Sequence, residues 1–150
     1  IPEGFVEEND LFLDFANKIL TKDKDIKILI RFHPIFLDQS NKIFENNKND
    51  RLILSKNNKI EDDFGICEAF VFRGSTLAVQ AARNGLIPIY YNKYSDLNIN
   101  PFYDFPNGYT SVSNENQLND YLNSNTINFN NDFTNGYFRM IDIEVLKKYL

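Results

Sequence analysis

The chain has 150 residues, of which 43% are hydrophobic and 25% are charged, and its formal net charge is −5. This composition excludes disordered and collagen-like chains and suffices for one ordinary domain with a buried core. The acidic balance, with its basic residues spread thinly, argues against nucleic acid as a partner. No apolar run is long enough to form a membrane-spanning segment.

Apolar residues recur every three or four positions over residues 7–21, which predicts a helix. A dense apolar run then covers residues 27–32 and stops at His33-Pro34, as expected of a strand buried on both faces. Further strands are predicted at 51–55, 69–72 and 87–91, with helices before them at 40–48, at 60–68 and at 75–84. Ser40 is the expected N-cap of the first of these helices, Asn58 begins a capping-box pattern at the second, and Gly85 is the expected C-cap of the third.

The alternation of predicted strands and helices becomes less regular after Tyr91. Residues 92–108 are expected to form a long loop with several aromatic residues, and loops of that length in compact domains are often functional. A short edge strand at 109–112, a helix at 115–122 and a terminal helix at 137–150 are predicted to follow. At the other end, Ile1 is expected to close a first strand, so that residues 1–150 form a single domain excised from a longer protein.

Strands that alternate with helices over short linkers predict an α/β fold, namely a Rossmann-like three-layer domain with a parallel sheet. Ligands of such sheets bind beyond the carboxyl ends of the strands, near the point where the strand order reverses. The segments that leave these ends are, in chain order, Pro2-Glu3-Gly4, His33-Pro34, residues 55–58, Arg73-Gly74-Ser75-Thr76 and Tyr91-Asn92-Lys93.

The segment after the fourth strand is the strongest candidate for an anion site. Gly74 lets the backbone turn sharply and approach a ligand. Ser75 and Thr76 begin the next helix, where unpaired N–H groups favour an anion, and Arg73 would add a charge-assisted bond to a phosphate. The alternative is that Ser75 is only an N-cap and that Arg73 pairs with the acidic residues 62–63.

The single histidine, His33, and the single cysteine, Cys67, limit the remaining chemistry. They cannot supply the ligands of a zinc site, so no metal is expected, and one cysteine without a partner favours a reducing cytoplasm. His33 stands at a strand end, where it would stabilise the negative charge of a phosphate on a departing nucleotide. A purely structural histidine is the alternative.

Two motifs resemble the donor-binding half of GT-B glycosyltransferases. One is the strand that ends in Arg31-Phe32-His33-Pro34, and the other runs from Arg73-Gly74-Ser75-Thr76 through Gln80-Ala81-Ala82 to Gly85-Leu86-Ile87-Pro88-Ile89. The resemblance covers about residues 1–91 and is to bacterial surface-polysaccharide enzymes of the CDP-glycerol glycerophosphotransferase and polysialyltransferase type. It implies the C-terminal half of a GT-B fold.

The resemblance also implies roles for individual residues. His33 would contact the donor phosphate as the catalytic residue, and Ser75 and Thr76 would bind that phosphate through hydroxyls and backbone N–H groups. Gly4 would lie in the loop nearest the interdomain cleft. Gln80 stands about where family members place an acidic residue on the ribose, and the nucleobase would lie against residues 55–60.

The implied function is the donor-nucleotide-binding half of a glycosyltransferase, or glycosyl-phosphate transferase, in the biosynthesis of a surface polysaccharide such as a capsule. Its donor would be a nucleotide-activated sugar or polyol, with no further cofactor. The acceptor site and the base would come from an N-terminal domain, so residues 1–150 alone are expected to be inactive. The full-length protein is expected in the cytoplasm, at the inner face of the membrane.

Two rival functions remain open. A GT-B-fold sugar-nucleotide epimerase or hydrolase would share the phosphate site, but such enzymes bring more histidines than the single His33. A non-catalytic Rossmann-like binding module, such as a receiver domain, would need paired acidic residues after its first strand, where Pro2-Glu3-Gly4 offers one.

Overall fold

The computed structural model describes residues 2–47, 49–93, 99–105 and 107–124. Helices and strands alternate along nearly all of this chain. In order they are α1 (Val6–Lys22), β1 (Ile28–Ile30), a 3-10 turn (Pro34–Phe36), α2 (Leu37–Phe44), β2 (Leu52–Leu54), α3 (Ile60–Phe64), β3 (Ala69–Phe72), α4 (Leu77–Arg83), β4 (Ile87–Tyr91), β5 (Thr110–Val112) and α5 (Glu115–Asn123). None of these described helices is long and apolar enough to cross a membrane.

Every strand pairing between described residues is parallel, which confirms the predicted α/β fold class. β1 pairs with β2, with Ile28 opposite Leu52. β4 lies between β3 and β5, with Ala69 opposite Ile87 on one side and Ile89 opposite Thr110 on the other. The described strands thus form two hydrogen-bonded sets, β1-β2 and β3-β4-β5.

Helices cover both faces of the β3-β4-β5 set, which gives the three-layer arrangement. Alternate residues of β4 point to opposite sides. Ile89 and Tyr91 join a core with α1 and α5, in which the ring of Phe15 stacks on that of Tyr91 at a centroid distance of 3.9 Å. Tyr90 joins a second core with α4, together with Phe102 from the loop that follows β4.

The two ends of the described chain meet in the first of these cores. The apolar face of α1 buries Phe12, Phe15 and Ile19, and α5 contributes Leu118 to the same cluster. Outside the core, the Lys22 ammonium donates to the side-chain oxygen of Asn116. Because α5 packs on α1, the helix layer on this face joins distant parts of the chain.

Two predicted helix boundaries were wrong. α2 begins at Leu37, and Ser40 lies inside it with its hydroxyl donating to the Leu37 carbonyl at 2.8 Å. The proline after His33 starts a 3-10 turn that leads into α2, so no separate cap is needed at position 40. α3 ends at Phe64, and its N-cap is Lys59 with no capping bond from a side chain.

Other predictions agree with the structure. The strands at 69–72 and 87–91 have the predicted bounds, and Gly85 follows α4 with φ of +88°, the conformation expected of a glycine that ends a helix. Asn114 caps α5 by accepting from the Gln117 N–H at 3.0 Å. The predicted helix at 137–150 and the predicted strand ending at Ile1 lie outside the described residues.

Candidate functional site

A cleft of about 650 Å³ lies where the loops after β1, β2 and β3 meet. Its lining includes five of the predicted site residues: Gly4, His33, Gly74, Ser75 and Thr76. The loop after β2 and the start of α3 complete one wall with Asn58, Lys59, Ile60 and Glu61. Because the loops that leave parallel strands share one edge of the fold, segments far apart in sequence converge here.

His33 lines this cleft with an exposed side chain. Its Nδ1 accepts a hydrogen bond from the Ile35 N–H at 3.3 Å, which caps the 3-10 turn. The proton of the neutral ring is therefore carried by Nε2, which makes that nitrogen a donor. Gly4 lies against the ring, since a Cβ atom added to Gly4 would stand 3.5 Å from His33 Nδ1. The side chain is exposed and can reach a ligand.

Ser75 and Thr76 connect β3 to α4. The N-cap of α4 is Thr76, not Ser75, and its side chain makes no capping bond. The structure gives neither hydroxyl a hydrogen bond with another described residue. Both hydroxyls can therefore donate to, or accept from, a ligand in the cleft without breaking an existing bond.

Glu3 crosses the cleft and packs against Gly74. A Cβ atom added at Gly74 would overlap the Glu3 carboxyl group, so the end of the Glu3 side chain would have to move to admit it. Burial raises the pKa of Glu3, the neighbouring negative charge of Glu8 raises it further, and the Gly74 N–H opposes both effects. A carboxyl group thus occupies the backbone turn that sequence analysis assigned to a phosphate.

Arg73 lies outside the lining of the cleft. Its Nη1 contacts Glu8 Oε1 at 3.2 Å, and the two side chains are 12% and 8% exposed. Glu8 also accepts from the Glu3 N–H. The charge of Arg73 therefore compensates a buried carboxylate of α1 and not one of the acidic residues 62–63, which were the alternative expectation.

A buried network fixes the wall formed by the β2–α3 loop. Asp63, which is 5% exposed, accepts from Arg31 Nη1 at 2.7 Å, from the Ser55 hydroxyl at 2.7 Å and from Asn57 Nδ2 at 2.7 Å. The other terminal nitrogen of Arg31 donates to the Asn58 carbonyl at 3.2 Å. Because Arg31 and Asn58 both line the cleft, this network sets the position of the wall where a nucleobase was expected.

Gln80 also lies outside the lining. Its amide donates to Glu61 Oε1 at 2.9 Å, and Glu61 belongs to the cleft. Gln80 therefore contacts a residue of the cleft lining, Glu61, rather than the cleft itself. The exposed ammonium of Lys59, on the same wall, adds a positive charge to the lining.

Sequence reasoning missed Glu3, Arg31 and Asp63 as parts of the site. A signal existed for Asp63, because it stands three residues after Ile60 and therefore lies on the same face of the helix, whereas Asp62 lies on the opposite side. No local pattern indicated that Glu3 would reach Gly74.

The cleft combines several hydrogen-bond donors with the carboxyl groups of Glu3 and Glu61. The donors are His33 Nε2, the hydroxyls of Ser75 and Thr76, and the ammonium of Lys59. When compared with known proteins, the chain matches no protein-family model, no curated protein and no solved structure.

Proposed function

We propose that this chain is the donor-binding half of a glycosyltransferase, or glycosyl-phosphate transferase, of surface polysaccharide biosynthesis, and that a nucleotide-activated sugar or polyol binds in the cleft. The observation that carries the proposal is the convergence of His33, Ser75 and Thr76 on one cleft, from loops that follow two different strands. A volume of about 650 Å³ suits a nucleotide-sized ligand, since ligand pockets span about 300–1,000 Å³.

The donor is oriented by the two walls of the cleft. Its phosphates lie between His33 Nε2 and the hydroxyls of Ser75 and Thr76, where negative charge meets several donors. Its base lies against Asn58 and Lys59, in the loop that the Arg31–Asp63 network holds in place. His33 stabilises the charge that develops on the departing nucleotide.

The rest of the reaction belongs to another domain. An acceptor site and a general base would complete the cleft from the side that Gly4 and His33 face, in a full-length protein that works in the cytoplasm at the inner face of the membrane. Residues 1–150 alone bind the nucleotide weakly and do not turn it over. Glycosyl transfer by this chain alone would contradict the assignment of the acceptor site and the general base to another domain.

Nucleotide binding is testable by NMR titration with CMP, CDP, UDP, GDP and ADP. We expect at least one diphosphate to shift the amide signals of Asn58, Lys59, Ser75 and Thr76 at millimolar concentration. If no nucleotide shifts these signals, or if the shifts fall elsewhere, the proposal is wrong.

Two substitutions assign the donors. His33→Asn keeps an acceptor for the Ile35 N–H but removes the Nε2 donor, and a lost bond to a charged phosphate should raise Kd about tenfold or more. Ser75→Ala should raise Kd by about threefold to tenfold. Ser111→Ala, at an exposed position on β5, is the matched control and should leave Kd unchanged.

A further inference from the structure

Glu3 is held in the lining of the cleft by the residues around it. Pro2, just before it, is fully buried. The Glu3 N–H donates to the Glu8 carboxylate, and Gly4, just after it, lies against the ring of His33. The backbone of Glu3 is therefore fixed, which keeps its carboxyl group at the cleft.

The carboxyl group of Glu3 lies at the turn that leads into Ser75. It is so close to Gly74 that a Cβ atom added there would overlap it, and a hydrogen bond from the Gly74 N–H lowers its pKa. Its Oε1 atom is buried, yet no residue in the described part of the chain donates a hydrogen bond to that atom. The negative charge of this carboxyl group is therefore only partly compensated by its neighbours.

The charged side chains nearest to Glu3 are on balance negative. Glu8, which is 6% exposed, raises the pKa of Glu3, whereas Arg73 lowers it and has the smaller effect of the two. Arg73 Nη1 already contacts Glu8 Oε1 at 3.2 Å. Two carboxylates thus share one guanidinium group, which leaves a net negative charge among the three side chains.

The cations that line the cleft belong to other segments. Arg31 is engaged in the buried network that fixes the β2–α3 loop. Lys59 lies in that loop, where the nucleobase is expected. At the turn after β3, the lining offers the hydroxyls of Ser75 and Thr76, which donate without carrying a charge. A phosphate at that turn is therefore bound by uncharged donors and lies beside the negative charge of Glu3.

Phosphates differ in how much negative charge they would bring to this turn. A terminal phosphate carries a charge of about −1.5 to −2 at pH 7, whereas a phosphate that is esterified on both sides carries a single negative charge. The second charge is repelled by the Glu3 carboxylate, and uncharged donors compensate it less than a cation would. The cleft should therefore hold an esterified phosphate more tightly than a terminal one.

We propose that Glu3 determines the specificity of the cleft, which selects a nucleotide with an esterified diphosphate, such as an intact sugar or polyol donor, over the free nucleoside diphosphate. The inference rests on the proposed function, because it needs a phosphate between His33 and Ser75. When a sugar is transferred, its bond to the β-phosphate oxygen breaks and the electron pair stays on that oxygen. The acceptor oxygen bonds the sugar, and its proton passes to the base of the other domain. The product therefore gains a negative charge beside Glu3, which favours its release.

Titrations with matched ligands test the proposal. The probes are CDP, UDP, GDP and ADP, each paired with its β-methyl ester, which removes one ionisable oxygen and adds one carbon. Binding to the 150-residue chain is followed by the amide signals of Ser75 and Thr76, at about pH 8, where the terminal phosphate is ionised. For each nucleotide that binds, the ratio of the two dissociation constants is compared between the wild-type chain and its variants.

Glu3→Gln keeps an oxygen that can accept from the Gly74 N–H but removes the charge. We expect it to lower the Kd of the free diphosphate by about fivefold relative to that of the ester. Glu3→Ala also removes the charge and should change the ratio as much. Glu7→Gln removes the same charge from an exposed position of α1 outside the lining, and it should leave the ratio unchanged.

An unchanged ratio in the two Glu3 variants would overturn the proposal. A ratio that changes in only one of them would overturn it as well, because the charge that both variants remove would then not be the cause. In these cases the signals of Ser75 and Thr76 still shift, so the proposed function stands. If no diphosphate or ester binds to any of the chains, both the inference and the proposed function are wrong.

Discussion

The charge of Asp63 is predicted to stabilise both the fold and the wall of the cleft. Its side chain is 7% exposed in the ion pair with Arg31, which is 20% exposed. Asp63→Asn keeps the shape but replaces one acceptor atom with an N–H₂ group that faces a donor. Removing one partner of a buried ion pair costs about 3–5 kcal/mol. Because Arg31 recovers part of this from water, we expect a loss of about 2–3 kcal/mol in the free energy of unfolding.

Urea unfolding followed by circular dichroism measures this loss, and Asp62→Asn provides the control. Asp62 is exposed and occupies the same first turn of α3, so any effect of charge on the helix dipole is similar in the two variants. We expect the control to change stability by less than about 0.5 kcal/mol. Asp63→Asn should lower Tm by about 4–12 °C and shift the amide signals of Asn57 and Asn58. Equal losses in the two variants would refute the role assigned to the network.

Three further predictions concern the cleft and the loop after β4. Gly74→Ala should destabilise the fold by about 0.5–1.5 kcal/mol, because its methyl group would push the Glu3 carboxyl group away from the Gly74 N–H. Gly4→Ala, whose added carbon would meet its nearest neighbour at 3.5 Å, should cost less than about 0.5 kcal/mol in the same urea assay. The pKa of Glu3 is raised in the folded state. The stability that its carboxyl group contributes is therefore fully present below pH 4.5 and is lost as the pH rises through the folded-state pKa. The stability of Glu3→Gln relative to wild type should therefore increase when the pH is raised from below 4.5 to neutral. A stability difference that stays the same at both pH values would contradict the burial of Glu3. Phe102→Ala should cost about 3–5 kcal/mol because the ring is fully buried, whereas Tyr103→Ala, at a position that is 66% exposed, should be nearly neutral by thermal melting.

The central strands were predictable because their signals are local. Residues 69–72 and 87–91 are dense apolar runs bounded by glycine and polar residues, and the structure gives them the predicted bounds. The meeting of Gly4, His33 and Gly74 in one cleft follows from the same prediction, because parallel strands release their chains at one edge.

The contacts that hold the residues around the cleft in place could not be predicted from local sequence patterns. Arg73 pairs with Glu8, 65 positions earlier in the chain, although acidic residues lie much closer to it in sequence. The choice among acidic partners depends on which side of β3 the α1 helix packs, and no local pattern contains that information. The contact between Glu3 and Gly74 has the same origin.

The packing of α5 on α1 has a consequence for how this domain is made. Lys22 and Asn116, which join the two helices, are 94 positions apart. At a synthesis rate of about 5–20 residues per second, α5 is made roughly 5–20 s after α1. Phe12 and Phe15 can pack earlier against Tyr91 of β4, but the side of α1 that contacts α5 stays uncovered over this interval and is open to chaperones or to aggregation.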